Sequence, residues 1–220
     1  MTDQPDPKEI AALLRKPEGE KGLKMAELLN DTNRYITEFT YLNVNPKNKQ
    51  TILEIGFGNG KLMPELLSKA EGLKLIGVDF SEDMVAEGKR ILCQYIENGE
   101  IELYEASVES LPFREESFDS VCSINTLYFW PDPVSNVQEI LRVLKPGAKV
   151  YLGIRPKEEA EKLPATKYGF QLYSKDEAMG LLEQAGFENV ELMEQTDLPV
   201  QFNGESKILR SWVFIGQKPV

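Results

Sequence analysis

The hydrophobic positions of this chain fall into short apolar runs that alternate with longer segments of mixed polarity. The runs that fit strands buried on both faces lie at residues 52–55, 73–78, 101–104, 117–124 and 149–154. The segments that predict helices lie at residues 62–70, 82–98 and 133–144. Such alternation of strands with helices predicts an α/β fold.

The amino-terminal part precedes the first strand and has helical spacing instead. Residues 1–7 are expected to be disordered, and residues 8–15 predict a short helix that ends at Pro17. The apolar positions of residues 24–42 predict one broken helix or two, with a weak point at residues 30–33. These helices either cap a ligand site or simply pack on the edge of the sheet.

The carboxy-terminal part completes the sheet. Residues 155–169 are an irregular insertion, and residues 174–185 predict a helix that opens with a capping box of Ser174 and Glu177. Two further apolar runs, at residues 190–193 and 208–215, predict the last two strands.

The first strand leads into a glycine-rich turn that reads EIGFGNGK from Glu54 to Lys61. A dinucleotide-binding turn has the spacing G-x-G-x-x-G, which would place its third glycine at Lys61 rather than at Gly60. Glu54 is a second difference, because a carboxylate repels a pyrophosphate and attracts an ammonium group. The turn therefore favours a cationic ligand, and the alternative is an ordinary strand-to-helix turn.

The second strand ends at Asp79, about the interval after the glycines at which nucleotide-binding folds place an acid for the ribose. Its carboxylate can accept both ribose hydroxyl groups, and the neighbouring Phe80 offers an apolar face to adenine. The alternative for Asp79 is a turn or helix-capping acid.

Three later motifs carry a family resemblance: LPF at residues 111–113, FDSV at 118–121 and LRVLKPGAKV at 141–150. With the glycine turn, they make residues 51–154 similar to the class I S-adenosylmethionine-dependent methyltransferases, in particular the ubiquinone and menaquinone biosynthesis group with its methyltransferase type 11 domain. The resemblance implies a Rossmann-like sheet of seven mostly parallel strands, an antiparallel last strand and helices on both faces. It divides the chain into an amino-terminal helical cap, residues 1–45, and a methyltransferase domain, residues 46–220.

The resemblance also implies S-adenosylmethionine as cofactor and assigns its contacts. The implied cofactor-binding residues are Glu54, Gly56, Phe57, Gly58, Gly60, Asp79, Phe80, Met84, Ser107, Val108 and Asn125. Phe80, Met84 and Val108 would enclose the adenine. The family usually has an aspartate at the position of Ser107, and a neutral hydroxyl group forms a bond to the adenine amino group about half as strong.

The loop after the fourth strand is rich in aromatic residues and lies at the edge of the sheet where α/β folds bind ligands. Tyr128 and Trp130 are predicted to face the substrate, with packing of the loop under the cap as the alternative. Tyr168, in the insertion, is predicted to line the same pocket. Tyr128 is also the candidate for orienting the acceptor, and no catalytic base is assigned.

Composition narrows the function further. The 220 residues carry a net charge of -11 and no histidine, which argues against nucleic acid and anionic membranes and removes the commonest base and metal ligand. No metal site and no stable membrane insertion are expected, and two cysteines without a disulfide framework suggest the cytoplasm. The oligomeric state stays open.

The sequence thus predicts methyl transfer from S-adenosylmethionine to a small-molecule acceptor. Two alternatives remain: a non-catalytic protein that binds S-adenosylmethionine, and an NAD(P)-dependent oxidoreductase.

Overall fold

A seven-stranded sheet forms the centre of the protein. The computed structural model describes residues 6–202 and 205–220. The strands of the sheet are β1 (Thr51–Ile55), β2 (Lys74–Asp79), β3 (Ile101–Glu105), β4 (Phe118–Ile124), β5 (Leu144–Ile154), β6 (Glu188–Thr196) and β9 (Arg210–Gln217). Their order is β3-β2-β1-β4-β5-β9-β6, and β9 runs antiparallel to both of its neighbours. The predicted Rossmann-like α/β fold is confirmed.

Between β6 and β9, two short antiparallel strands form a separate hairpin, β7 (Val200–Phe202) and β8 (Glu205–Lys207). The helices are α1 (Pro7–Arg15), α2 (Gly19–Thr32), α3 (Arg34–Val44), α4 (Met63–Leu67), α5 (Glu82–Ile91), α6 (Cys93–Glu97), α7 (Pro133–Val143), α8 (Lys157–Ala160) and α9 (Lys175–Gln184). Short 3₁₀ helices lie at Leu127–Phe129 and Pro164–Lys167.

Both faces of the sheet are covered by packed apolar side chains. Successive residues of a strand point to opposite sides, so each strand contributes to both faces. Leu53 of β1 and Val121 of β4 belong to one hydrophobic cluster, while Ile52 and Cys122 belong to the other. This explains why the strands read as unbroken apolar runs in the sequence.

Several helix boundaries differ from those predicted. Residues 6 and 7, expected to be disordered, start α1, whose cap is the Asp6 side chain; residues 1–5 lie outside the described part. The second helix already begins at Gly19, since the Gly22 N–H bonds to the Glu18 carbonyl. The predicted helix 82–98 is divided at Leu92, and the predicted helix 62–70 is only Met63–Leu67.

The insertion at residues 155–169, expected to be irregular, contains α8 and a 3₁₀ turn. The capping box of α9 forms as predicted, with the Ser174 hydroxyl group accepting from the Glu177 N–H and the Glu177 carboxylate accepting from the Ser174 N–H.

Two connections of the amino-terminal helices reach the carboxyl edge of the sheet. Between α1 and α2, the Ser81 hydroxyl group donates to the Pro17 carbonyl (2.6 Å). Between α2 and α3, the Asn33 side chain accepts from the Asn125 side chain (3.1 Å). Helix α3 itself packs on β4, β5 and β9. That residues 1–45 form a domain of their own stays a prediction.

Candidate functional site

The glycine turn after β1 is shaped by backbone conformations that favour glycine. Gly56, Gly58 and Gly60 have φ values of 74°, 61° and 71°. A Cβ on Gly56 would lie 2.2 Å from Thr126 Cγ2, and one on Gly60 would lie 2.7 Å from Leu92 Cδ1. A Cβ on Gly58 would meet nothing within 4 Å. The packing of the protein therefore requires the outer two glycines, whereas the middle one faces open space.

Asp79 is fixed at the end of β2 by backbone groups. Its Oδ2 accepts from the Gly58 N–H and its Oδ1 from the Ser81 N–H, each at 2.9 Å. Burial raises the pKa of this carboxyl group to about 6, against the lowering effect of these hydrogen bonds. Each oxygen has a further lone pair, so the carboxylate can still accept from ribose hydroxyl groups.

Glu54 lies on the strand next to that of Asp79; it pairs with Gly77, two residues before Asp79, and is equally buried. Its Oε2 accepts a hydrogen bond of 2.8 Å from the hydroxyl group of Tyr41 in α3. Burial raises the pKa of the Glu54 carboxyl group to about 7; the Tyr41 bond acts in the lowering direction and the charge of Asp79 in the raising direction. Two buried carboxyl groups that act on each other thus lie near the ends of neighbouring strands, and one of them holds the Gly58 N–H, an arrangement suited to a cation.

The predicted adenine contacts lie in different environments. Phe80 is 40% exposed, with Lys16 Nζ 5.9 Å from the centroid of its ring, whereas Met84 and Val108 are buried. The Ser107 hydroxyl group accepts from the Glu109 N–H (3.3 Å).

Phe57, predicted as a cofactor contact, has a core side chain. Its ring lies against Gly77 and Gly88, because a Cβ at either glycine would come within 2.9 Å of it. The ring therefore packs in the core, and only the Phe57 backbone is left to contact a ligand.

The loop after β4 is held by a set of hydrogen bonds. Asn125 adopts a φ of 56°, and its N–H bonds to the Gly153 carbonyl (2.8 Å). The Tyr128 hydroxyl group donates to Asn125 Oδ1 (3.3 Å) and accepts from the Arg155 N–H (2.5 Å). Burial raises the pKa of Tyr128 well above its usual value, so Tyr128 stays neutral and is not suited to act as a base.

A shallow cavity of about 340 Å³ lies beside this loop. Tyr128, Phe129, Trp130 and Phe170 line it together with Arg15 of α1. Two of the predicted substrate residues, Tyr128 and Trp130, therefore share one cavity although most of each side chain is buried. Tyr168 is 46% exposed and is not among the residues that line it.

Sequence reasoning missed two residues that shape the site, Tyr41 and Arg155. The guanidinium group of Arg155 forms a buried ion pair with Asp197, and it donates to the Ser211 hydroxyl group (2.9 Å) and to the Thr32 carbonyl (3.1 Å). The Arg155 side chain thereby joins the end of α2 to β9, while the Arg155 N–H, directly after β5, bonds to the Tyr128 hydroxyl group. An arginine directly after a buried strand was the available signal.

No group of three or more side chains that could hold a metal ion occurs in residues 6–202 and 205–220.

Comparison with known proteins supports the family resemblance. A family model described as a methyltransferase domain matches residues 53–152. Just under half of the chain is thus similar to this methyltransferase family. The resemblance predicted from the glycine turn and from the LPF and FDSV motifs is confirmed over these residues.

Two curated relatives match this chain over most of its length at low sequence identity. The uncharacterized methyltransferase YdaC of Bacillus subtilis is 28% identical over 161 residues, which cover 73% of this chain and 83% of YdaC. The demethylmenaquinone methyltransferase of Clavibacter sepedonicus is 29% identical over 77% of this chain and 66% of its own length. Several further curated relatives are matched over only 38–64% of their length.

Among solved structures, the same fold recurs in a complex between the Haloferax volcanii Trm112 methyltransferase activator and the putative methyltransferase. It aligns with a TM-score of 0.76 at 18% identity, over 97% of this chain and 99% of the other. At that identity, the likeness shows the fold alone.

Proposed function

We propose that this protein transfers a methyl group from S-adenosylmethionine to a small-molecule acceptor at the carboxyl edge of β1, β2 and β4. The observation that carries this proposal is the pair of buried carboxyl groups on neighbouring strands, Glu54 and Asp79, the second of which accepts from the N–H of Gly58 beside open space. These residues fit the cofactor. Its ammonium group at one end can be held by one carboxylate, and its ribose hydroxyl groups can donate to the other.

In this proposal, Glu54 holds the ammonium end, Asp79 accepts from the ribose hydroxyl groups and Phe80 packs on the adenine. Gly58 allows the backbone to approach the ligand, since glycine has no Cβ that would stand between them. S-adenosylmethionine, when bound, supplies a methyl group on an activated sulfonium. The protein contributes alignment, which can lower a barrier by about 7–11 kcal/mol.

The acceptor would approach from the aromatic cavity beside Tyr128. An electron pair of the acceptor would form the bond to the methyl carbon as the S–CH₃ bond broke towards sulfur, and solvent would take any proton released. Tyr128 would orient the acceptor or form its wall, and Arg15 at the rim would favour an acceptor with an anionic group. The net charge of -11 continues to argue against nucleic acid.

None of the helices in residues 6–202 and 205–220 is long and apolar enough to cross a membrane.

The proposal is tested by calorimetry with S-adenosylhomocysteine and by transfer of labelled methyl groups to a panel of planar, apolar and anionic small molecules. Binding together with transfer to at least one acceptor is the expected result. Binding without transfer to any acceptor would favour a non-catalytic cofactor-binding protein. A lack of binding at saturating concentration would overturn the proposal.

Asp79→Ala is expected to weaken S-adenosylhomocysteine binding about ten-fold, or 1.4 kcal/mol, because the ribose acceptor is lost. Its effect on stability combines two opposed contributions, because two buried N–H groups lose their acceptor while the cost of burying a charged carboxylate is removed. The matched control is Asp119→Ala, because Asp119 accepts from the Thr51 N–H (2.8 Å) at the opposite edge of the sheet. If both variants weakened binding equally, the ribose assignment would be wrong.

A further inference from the structure

We propose that Tyr41 is a positioning residue that orients the Glu54 carboxylate for the ammonium group of the cofactor. The inference rests on the proposed function and extends it to a residue of α3 outside the predicted site. Tyr41 touches no cofactor in this proposal and acts only through Glu54.

The geometry of the pair supports this role. Tyr41 is fully buried, and its hydroxyl group donates to Glu54 Oε2 at 2.8 Å. Within residues 6–202 and 205–220, that bond is the only hydrogen bond of the Glu54 side chain, so Oε1 keeps both lone pairs for a ligand. One oxygen is therefore fixed by the protein and the other is left for the ammonium group.

The surroundings make this donor important. Among the described residues, the titratable groups that act on the pair are Cys122 of β4, Asp79 of β2 and Glu65 of α4, and Tyr151 of β5 lies beside Cys122. None of these four groups carries a positive charge. In this set, the Tyr41 hydroxyl group is thus the donor that favours the ionised form of Glu54.

Tyr41 and Cys122 themselves remain neutral in the accessible range of pH. Burial raises the pKa of each well above its usual value, so neither can serve as a counter-ion. The charge on Glu54 consequently depends on pH, on the Tyr41 hydrogen bond and on the ligand. Removing the Tyr41 hydroxyl group should move the ionisation of Glu54 to higher pH. Near neutral pH, Glu54 should then bind an ammonium group more weakly.

The test is Tyr41→Phe, which removes only one oxygen atom. Affinities for S-adenosylhomocysteine and for 5′-methylthioadenosine, which lacks the ammonium group, are measured from about pH 5.5 to about pH 8.5. For the wild-type protein, the preference for S-adenosylhomocysteine over 5′-methylthioadenosine should rise through about pH 7, where Glu54 ionises. In Tyr41→Phe, that rise should move to higher pH, with about five- to ten-fold weaker S-adenosylhomocysteine binding at pH 7.

Measurements with 5′-methylthioadenosine distinguish the effect of Glu54 on binding from that of Asp79. The ribose is common to both ligands, so titration of Asp79 near pH 6 affects both and cancels in their ratio. Binding of 5′-methylthioadenosine by Tyr41→Phe should equal that of the wild-type protein, which also reports whether the variant is folded.

The matched control is Tyr151→Phe. Tyr151 is a buried tyrosine on β5, beside Cys122 on the same face of the sheet, and it forms no hydrogen bond with Glu54. Its ligand preference should follow the wild-type profile. An equal shift in both variants would indicate loosened packing and overturn the inference.

The outcomes also separate this inference from the proposed function. If the wild-type chain does not bind S-adenosylhomocysteine, both fall. If the wild-type chain binds it but the pH profile of Tyr41→Phe is unshifted, the proposed function stands and the role of Tyr41 is wrong. Should Tyr41→Phe fail to fold, a wild-type preference that is flat across pH 7 would still contradict the inference.

Discussion

Glu54→Gln is expected to make the unliganded protein more stable at pH 8 and at the same time to abolish its preference for a ligand with an ammonium group. Glutamine keeps an oxygen for the Tyr41 hydroxyl group but carries no charge into the buried site. The stability gained at pH 8 would thus come from replacing a group whose proposed role is ligand binding rather than folding.

The sign of the effect follows from the raised pKa. Burial raises the pKa of the Glu54 carboxyl group from 4.5 to about 7, so between these values the folded state binds more protons than the unfolded state. Stability consequently falls as the pH rises through this window, and the deficit is complete above about pH 7. It amounts to about 2–3 kcal/mol at pH 8 and nearly vanishes at about pH 4.5.

The difference between wild-type protein and variant isolates this contribution. At pH 8, Glu54→Gln should raise Tm by roughly 5–10 °C, and near pH 4.5 the two proteins should unfold together. Asp79, whose carboxyl pKa is raised from 3.8 to about 6, adds a deficit of its own at lower pH, but both proteins share it.

Glu105→Gln is the control for the change in net charge, because the Glu105 side chain is exposed at the end of β3. It should shift Tm by less than about 2 °C at either pH. A Glu54→Gln variant that is less stable than wild type at pH 8 would contradict the burial argument.

Residues whose place follows from the course of the backbone, at the end of a strand or in a glycine turn, could be predicted from the sequence. An acid that interrupts an apolar run, followed by glycines at alternate positions, identifies Glu54 and the turn, because few other structures need that combination. Asp79 followed from its distance along the chain, since a βαβ unit fixes where the second strand ends.

Residues that act through partners could not be predicted in the same way. Tyr41 occupies a position of α3 where an aromatic residue reads as ordinary core, and helical spacing reports burial but not what a hydroxyl group faces. Arg155 stands 42 residues before its partner Asp197, in a different element, so no local pattern relates the two. Phe57 shows the converse case, because its place between two glycines does not reveal that its side chain lies in the core.

Gly58→Ala is expected to weaken S-adenosylhomocysteine binding at least 100-fold, or about 2.7 kcal/mol, because its Cβ would stand in the space assigned to the ligand. The same substitution should lower stability by only about 1–2 kcal/mol, the cost of a left-handed conformation for an alanine. That limit follows from the open space around Gly58, where no atom of the protein lies within 4 Å of the added carbon.

Gly99→Ala is a closely matched control. Gly99 has a φ of 75°, an added Cβ there also meets nothing within 4 Å, and the residue lies in the exposed turn before β3. The two variants should lose equal stability in urea unfolding, while only Gly58→Ala loses ligand affinity in calorimetry. Since the backbone strain is common to both, any difference in affinity reports contact with the ligand. Wild-type affinity in Gly58→Ala would mean that the cofactor lies elsewhere, and the roles proposed for Glu54, Asp79 and Tyr41 would fail with it.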